Sequence, residues 1–499
     1  MAPELKTRAS GVLLHPTSLY GPHGVGDLGD DALRFVEWLA SAGQTWWQML
    51  PVGPTGWGNS PYSARSSFAG NPLLISLHRL ADEGLLDPKD VVPDPALRPG
   101  KADFDAALAY KNARLRRAFA AFQRAVPERE LAAFRAAHPW VEGDSLYAAL
   151  AHVRRGAWWD WEPGVRHRDP AALAAARREL DAEVRYYEFV QFVFERQWTK
   201  LRAHARALGV GLIGDVPFFA APDSVDVWAW QDHFDLDEEG RPRTVAGAPP
   251  DGFTADGQRW GHPQYRWDVH RAKGYAWWIQ RLKSTFDRFD AVRIDHFIGF
   301  HRSWSIPASC PTAREGAFRP GPGAEFFEKL FATLGPLKLI AEDLGVVPPE
   351  VNELRDRFDL PGIRVLQFGL NGDPGAELHL PHKYPVRCVA FTGTHDNDTS
   401  AGWYASVWDP KARDFARNYI GGERAEIPWD MIRVVSESRA DTVIIPAQDL
   451  LALGADARMN RPGVAQGNWD WRLMDGSLGP ALAQRLRTLT AATGRLPRI

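Results

Sequence analysis

Cysteine is nearly absent from this 499-residue chain. The two that occur, Cys310 and Cys388, cannot build a disulfide framework and form no CxxC metal site. Reduced thiols in the cytoplasm are the expectation. Net charge is missing too: 59 basic against 62 acidic residues leave no global field for nucleic acid or an anionic membrane, and neither is expected as a partner. No uncharged apolar stretch reaches the roughly 18 to 20 residues of a membrane span. The opening MAPELKTRAS has no charged segment followed by an apolar core and cleavage site, so export is not expected. No GxGxxG or phosphate loop follows the first apolar run, and no HxH or HExxH stands at a strand tip. A catalytic metal is not expected.

What the chain does contain is a series of short apolar runs. They fall at 11–18, 45–52, 210–219, 291–297, 338–345, 362–369, 387–393 and 441–451, with amphipathic segments such as DDALRFVEWLASAG (30–43) between them. Fully apolar runs of this length read as strands buried on both faces, and their alternation with helices predicts a parallel α/β fold. An open doubly wound sheet shares the pattern but lacks its phosphate loop here. The expected class is therefore α/β, a (β/α)8 TIM barrel with large helical and loop insertions after strands two and three. Residues 1–54 and 186–499 would form the barrel. Residues 55–185 would be a mostly helical insertion, and 219–270 a loop-rich one flanking the cleft.

Three carboxylates stand just past apolar runs: Asp295 in AVRIDHF, Glu342 in KLIAEDLG and Asp396 in RCVAFTGTHDND. Strand C-termini form the mouth of such a barrel, where its enzymes carry their chemistry. Two carboxyls there can serve as nucleophile and general acid/base at a glycosidic bond, and a third can stabilise positive charge on the sugar ring. Arg293, two residues before Asp295 on the same strand face, would keep it ionised. Each motif also has a plain structural reading. Arg293 and Asp295 can be a buried ion pair, and Thr394 to Asp398 a capped loop. Asp295, His296, Glu342, Asp343, His395 and Asp396 are also possible metal ligands, but histidines of the usual spacing are missing. Tryptophan is abundant, with 21 residues, and flat rings pack against the C–H face of a pyranose. Trp46, Trp47, Trp277 and Trp278 are expected in the core, whereas Tyr62, Trp260 and Trp403 sit in loop-like sequence suited to a ligand platform.

In order, the chain carries HPTSLYGPHGVGDLG, SPYSARSSFAGNP (60–72), GDVPFF (214–219), AGAPPDGFTADGQRWGHPQY (246–265), RIDHF, AEDLG, GTHDND and RMNRPGVAQGNW (458–469). With these motifs it resembles, over nearly its whole length, the 4-alpha-glucanotransferases known as amylomaltases or disproportionating enzymes, glycoside hydrolase family 77 of the α-amylase-like clan. The resemblance implies that Asp295 is a nucleophile forming a covalent glucosyl enzyme, Glu342 the proton donor and later base, and Asp396 the third carboxylate. It implies that Arg293, His296 and His395 surround the sugar beside the scissile bond. Tyr62, Asp215, Gln258, Trp260, Asp343 and Asn468 would contact substrate. The implied partners are α-1,4-glucans and maltooligosaccharides, with glucose as an acceptor and no cofactor. The segment 246–265 would lie over the cleft and guide a chain into a curve, implying large cyclic glucans. Asn59 and Arg461 depart from the family pattern, which bears on acceptor preference. Without the resemblance, the residues leave open a transferase, an amylase-like hydrolase and a non-catalytic glucan-binding protein.

Overall fold

All eight apolar runs become strands in the computed structural model, which describes residues 3–497 other than 98, 126–127, 251–253, 372–374, 408, 423–425 and 465. Numbered along the chain, the strands are β1 (Ala9–Leu13), β2 (Trp46–Gln48), β3 (Gly211–Val216), β4 (Thr244–Ala248), β5 (Gln258–Pro263), β6 (Ala291–Ile294), β7 (Arg302–Pro307), β8 (Ala317–Pro320), β9 (Leu339–Ala341), β10 (Gly362–Val365), β11 (Cys388–Phe391) and β12 (Thr442–Pro446). Eight of them pair in parallel in the order β10-β11-β12-β1-β2-β3-β6-β9. This is the nearly closed (β/α)8 barrel that the alternation predicts.

The strands are buried on both faces, and their side chains divide by parity between two cores. Ile213, Ala291, Ile340, Ile363, Val389 and Ile444 fill the barrel interior with Trp46. Their neighbours Leu212, Val292, Leu339, Ala390 and Val443 face outward against the helical layer, with Trp47, Trp277 and Trp278. All four tryptophans of the expected core pairs are fully buried. Parity then decides what reaches the mouth. Asp215 follows Ile213 by two, Arg293 and Asp295 follow Ala291, and Glu342 follows Ile340, so these polar groups continue the inward-facing columns.

The ladder stops between β9 and β10, where a few polar contacts close the ring. Ala341 N–H donates to Pro361 O at 2.9 Å, and Ile363 N–H donates to Asp343 Oδ1 at 2.6 Å. Gly362 permits this approach, since a Cβ there would lie 2.4 Å from Asp343 Oδ2.

Helices Phe104–Ala125, Glu128–Ala137, Trp140–Val153 and Pro170–Glu179 lie between β2 and β3. The long helix Asp181–Ala207 leads back to β3 and buries Val184, Phe189, Val193, Trp198 and Leu201. Lys111 pins the first of these helices to the barrel. Fully buried, its ammonium donates to Asp27 Oδ2 at 2.9 Å, Leu73 O at 2.7 Å and Ile75 O at 2.9 Å, which satisfies all three of its protons.

The second insertion differs from its loop-rich expectation. It carries β4 and β5, which join β7 and β8 in an antiparallel sheet ordered β5-β4-β7-β8. Two of these strands lie after β6, so the pairing is long-range. Glycine, proline and short strands hid it from a reading of local alternation. Residues 251–253, in the segment expected over the cleft, lie outside the described residues. Among the described residues no helix is long and apolar enough to cross a membrane.

Candidate active site

The parallel register brings three strand tips together. Asp215 on β3 is paired with Arg293 on β6, and Ile294 with Ala341 on β9, so the next residues beyond that last pair are Asp295 and Glu342. Arg293 is the hub. Its guanidinium donates to both oxygens of Asp215, at 2.9 and 2.7 Å, and its other nitrogen lies 3.0 Å from Asp295 Oδ1. The Tyr62 hydroxyl donates to Asp215 Oδ2 at 2.8 Å. Burial alone would strip charge from the guanidinium, but Asp215, Tyr62, Asp295 and Glu342 outweigh it and hold Arg293 well above its ordinary range. Burial likewise pushes Asp215 up, while Arg293 and the Tyr62 hydroxyl pull it back; the two-pronged contact is that of a charged pair.

Glu342 is placed by backbone. His296 takes the left-handed conformation at φ 48°, uncommon for a residue with a Cβ, and the turn aims its N–H at Glu342 Oε2, 2.7 Å away. Leu344 N–H donates to Oε1 at 3.1 Å. Burial pushes the Glu342 carboxyl up to about 8; Arg293 opposes the rise and Asp295 adds to it. That shift favours the protonated acid, beside a carboxylate that is paired with arginine. A donor acid and an ionised nucleophile need that division.

Asp396 belongs to the turn after β11. His395 Nε2 lies 3.3 Å from its Oδ2, and Asn460 Nδ2 donates to its Oδ1 at 2.6 Å. The His395 ring stacks on Tyr62 at 5.1 Å, and Trp469 packs against both rings. Tyr62 feels the charges of Asp215, Arg293, Asp295 and Asp396, so it stands between the two groups of acids. Burial lowers His395 and His296, which favours the neutral imidazole in both.

On the opposite wall β5 presents alternate residues. Trp260 meets the His296 ring edge-on at 5.0 Å and donates through Nε1 to Gln258 Oε1 at 3.1 Å. Trp260 thus lies on a strand and Trp403 on the helix Ser400–Ser406, neither in the loops expected for them.

Two expected substrate contacts are placed differently. Asp343 is withdrawn into the barrel seam, where Arg355, Arg364 and Ile363 N–H occupy its carboxylate. Its neighbour Glu342 faces inward, so Asp343, one residue on, faces outward. Asn468 spends its carboxamide within its own loop, accepting from Arg461 N–H at 2.9 Å and donating to Val464 O at 2.7 Å. Three residues join the site without having been singled out. His262 follows Trp260 by two on β5, feels the charge of Asp295, and is pushed down to about 4 by burial. The strand's period of two could have found it. Asn460 and Trp469 lie in the motif RMNRPGVAQGNW, but their partners are remote in sequence and gave no local signal. Among the described residues no group of three or more His, Cys, Asp or Glu is arranged to hold a metal.

Comparison with known proteins matches this arrangement to one family. The family model described as 4-alpha-glucanotransferase matches residues 14–477. The 4-alpha-glucanotransferase of Thermus thermophilus is 47% identical over 503 residues, covering 98% of this chain and 99% of the relative. That of Synechocystis sp. is 44% identical over 500 residues, with the same coverage. An amylomaltase from Streptococcus agalactiae, solved in complex with acarbose, superposes with a TM-score of 0.95 at 34% identity, over 98% of this chain and 100% of its own. The amylomaltase of Corynebacterium glutamicum shares the fold, with a TM-score of 0.77 at 18% identity over 98% of this chain and 75% of its own. By sequence, fold and extent of match, this chain belongs to the 4-alpha-glucanotransferase family.

Proposed function

We propose that the chain transfers a segment of an α-1,4-glucan to the 4-hydroxyl of another glucan or of glucose by double displacement with retention. The observation that carries this reading is the shared Arg293 hub, which pairs with Asp295 while Glu342, one strand over, keeps its proton. In the first half Asp295 attacks the anomeric carbon as the bond to the glycosidic oxygen breaks. Glu342 gives that oxygen its proton, and the shortened glucan leaves with a free 4-hydroxyl. In the second half Glu342 takes the proton of an acceptor 4-hydroxyl, whose oxygen displaces Asp295 from the same carbon. Two inversions restore the α configuration.

Asp396 and His395 grip ring hydroxyls and favour distortion towards the transition state, and the Arg293 guanidinium orients Asp295 from 3.0 Å away. Trp260, Gln258 and Tyr62 line the walls on which glucosyl rings rest. A stacked acceptor stays next to the ester at high effective concentration, which favours transfer over attack by water. The relative solved with acarbose supports a glucan-binding cleft in this fold. Strand β5 as a wall of the cleft supports a path for long chains and their cyclisation, and the two free cysteines fit a reducing cytoplasm.

Product analysis with maltotriose tests the reading. Glucose and oligomers longer than maltotriose should appear while total reducing ends stay constant. Rising reducing ends would show hydrolysis, and binding without turnover would leave a glucan-binding protein.

A further inference from the structure

We propose that Asn460 is a positioning residue for glycosyl transfer, fixing the carboxylate of Asp396 from a braced loop that follows the last barrel strand. The inference rests on the transition-state role proposed for Asp396.

Asp396 needs an external hold. It lies five residues beyond β11, and its side chain is 46% exposed to the cleft. The turn constrains its main chain through Asp396 N–H and Thr394 Oγ1, at 3.3 Å, but not the torsion of the carboxylate. Among the described residues two side chains reach that carboxylate: His395, at 3.3 Å from Oδ2, and Asn460, at 2.6 Å from Oδ1. The histidine ring is stacked on Tyr62 and stands farther off, so the close contact is the asparagine's. Only the amide nitrogen can face a carboxylate without repulsion, and this fixes the orientation of the carboxamide.

The loop is built to hold that amide still. Arg458 donates through NH2 to Asp396 O and through Nε to Asn460 O, both at 2.7 Å, so one guanidinium ties the two backbones in register. Trp469 N–H donates to Met459 O at 2.7 Å and closes the base of the loop, with Trp469 itself left-handed at φ 67°. Asn468 braces the interior. These closures use Arg458, Asn468 and Trp469, whereas the Asn460 carboxamide is directed at Asp396. Its bond to Oδ1 fixes the plane of the carboxylate and leaves Oδ2, beside His395, turned towards the cleft.

The test compares N460A, N460D and D396N with the wild-type enzyme in maltotriose disproportionation from pH 5 to 9, with a thermal melt of each. A hydrogen bond to a charged group is worth enough that N460A should lose about 10- to 100-fold in kcat, with KM changed far less and the melting temperature within a few degrees. N460D supplies the signature. Its carboxyl can donate to Asp396 only when protonated, so the ratio of N460D to wild-type kcat should climb about tenfold or more as pH falls from 8 to 5. The other groups facing Asp396 are present in both proteins: His395 and Asp398 on its own turn, Arg458 on the braced loop, Tyr62, and Arg293 and Asp295 across the cleft. Wild-type kcat in folded N460A would overturn the proposal. So would equal, pH-independent losses in N460A and N460D, which would mark a damaged loop. Full activity in D396N would instead remove the role of Asp396 on which the proposal stands.

Discussion

Replacing Glu342 by glutamine removes the proposed acid and, in the same change, a carboxyl that the fold holds far above its ordinary range. The unfolded carboxyl ionises near 4.5 and the folded one near 8, so ionisation works against folding across that window. Wild-type stability should therefore fall as pH climbs from about 4.5 to about 8, while that of the Glu342→Gln variant does not share the loss. At about 1.4 kcal/mol per pKa unit the ceiling is about 5 kcal/mol, and water on the cleft side of the carboxyl reduces the expected effect to about 2 kcal/mol. Against this, glutamine offers one acceptor oxygen where the carboxyl meets both His296 N–H and Leu344 N–H, at 2.7 and 3.1 Å, a loss of about 1 kcal/mol. The variant should be the less stable protein at pH 5 and the more stable one at pH 9. For a chain this long about 1 kcal/mol moves Tm by about 1 °C, so the Tm difference should swing by about 2 °C between those limits. Paired scanning calorimetry across the series measures it. A difference that stays constant, or runs the other way, would refute the raised carboxyl. In the same window wild-type kcat/KM should decline above about pH 8 as the donor proton is lost.

Asp295→Asn should abolish turnover, by about 10³-fold or more, in a protein that still binds maltooligosaccharides and melts normally; substantial residual transfer would remove Asp295 from the nucleophile role. Asp343→Ala should destabilise the enzyme by about 3 kcal/mol, because it leaves Arg355, Arg364 and Ile363 N–H without their shared acceptor. KM of its folded fraction should be unchanged, and a raised KM with normal stability would return Asp343 to the cleft.

The existence and order of all eight barrel strands were legible in the sequence because a strand buried on both faces must be apolar throughout. Their ends were less so. Runs expected to reach Ser18, Gly369 and Leu451 leave the ladder at Leu13, Val365 and Pro446, after which short helical turns take over. Those turns are buried beneath neighbouring segments, so they too are apolar, and hydrophobicity does not mark where pairing stops. The acids at the mouth were legible for the opposite reason: Asp295 and Glu342 interrupt apolar runs at positions where burial is costly without a function or a partner. Asp343 carries the same signal, and only side-chain parity separates the two. The hold of Asn460 on Asp396 was illegible, since it joins residues 64 apart through geometry that no local pattern encodes.

The charge of the site also bears on how one carboxyl would serve both halves of the proposed reaction. At rest Arg293 offers a single positive charge to Asp215 and Asp295, so an ionised Glu342 would add a third negative charge in a confined space. That excess helps to keep its proton in place. Once Asp295 is esterified its charge is gone, and its repulsion of Glu342 goes with it. Arg293 and the His296 N–H remain, and both favour the anion. In the proposed mechanism the loss of that repulsion eases proton release from Glu342 to the leaving oxygen, against the burial that still opposes the anion. Which hydroxyl Glu342 then deprotonates in the proposed mechanism is decided by what rests against Trp260 and Tyr62. In that mechanism the departing glucan frees the surface, and a sugar stacked there in its place would present its 4-hydroxyl to Glu342 ahead of water.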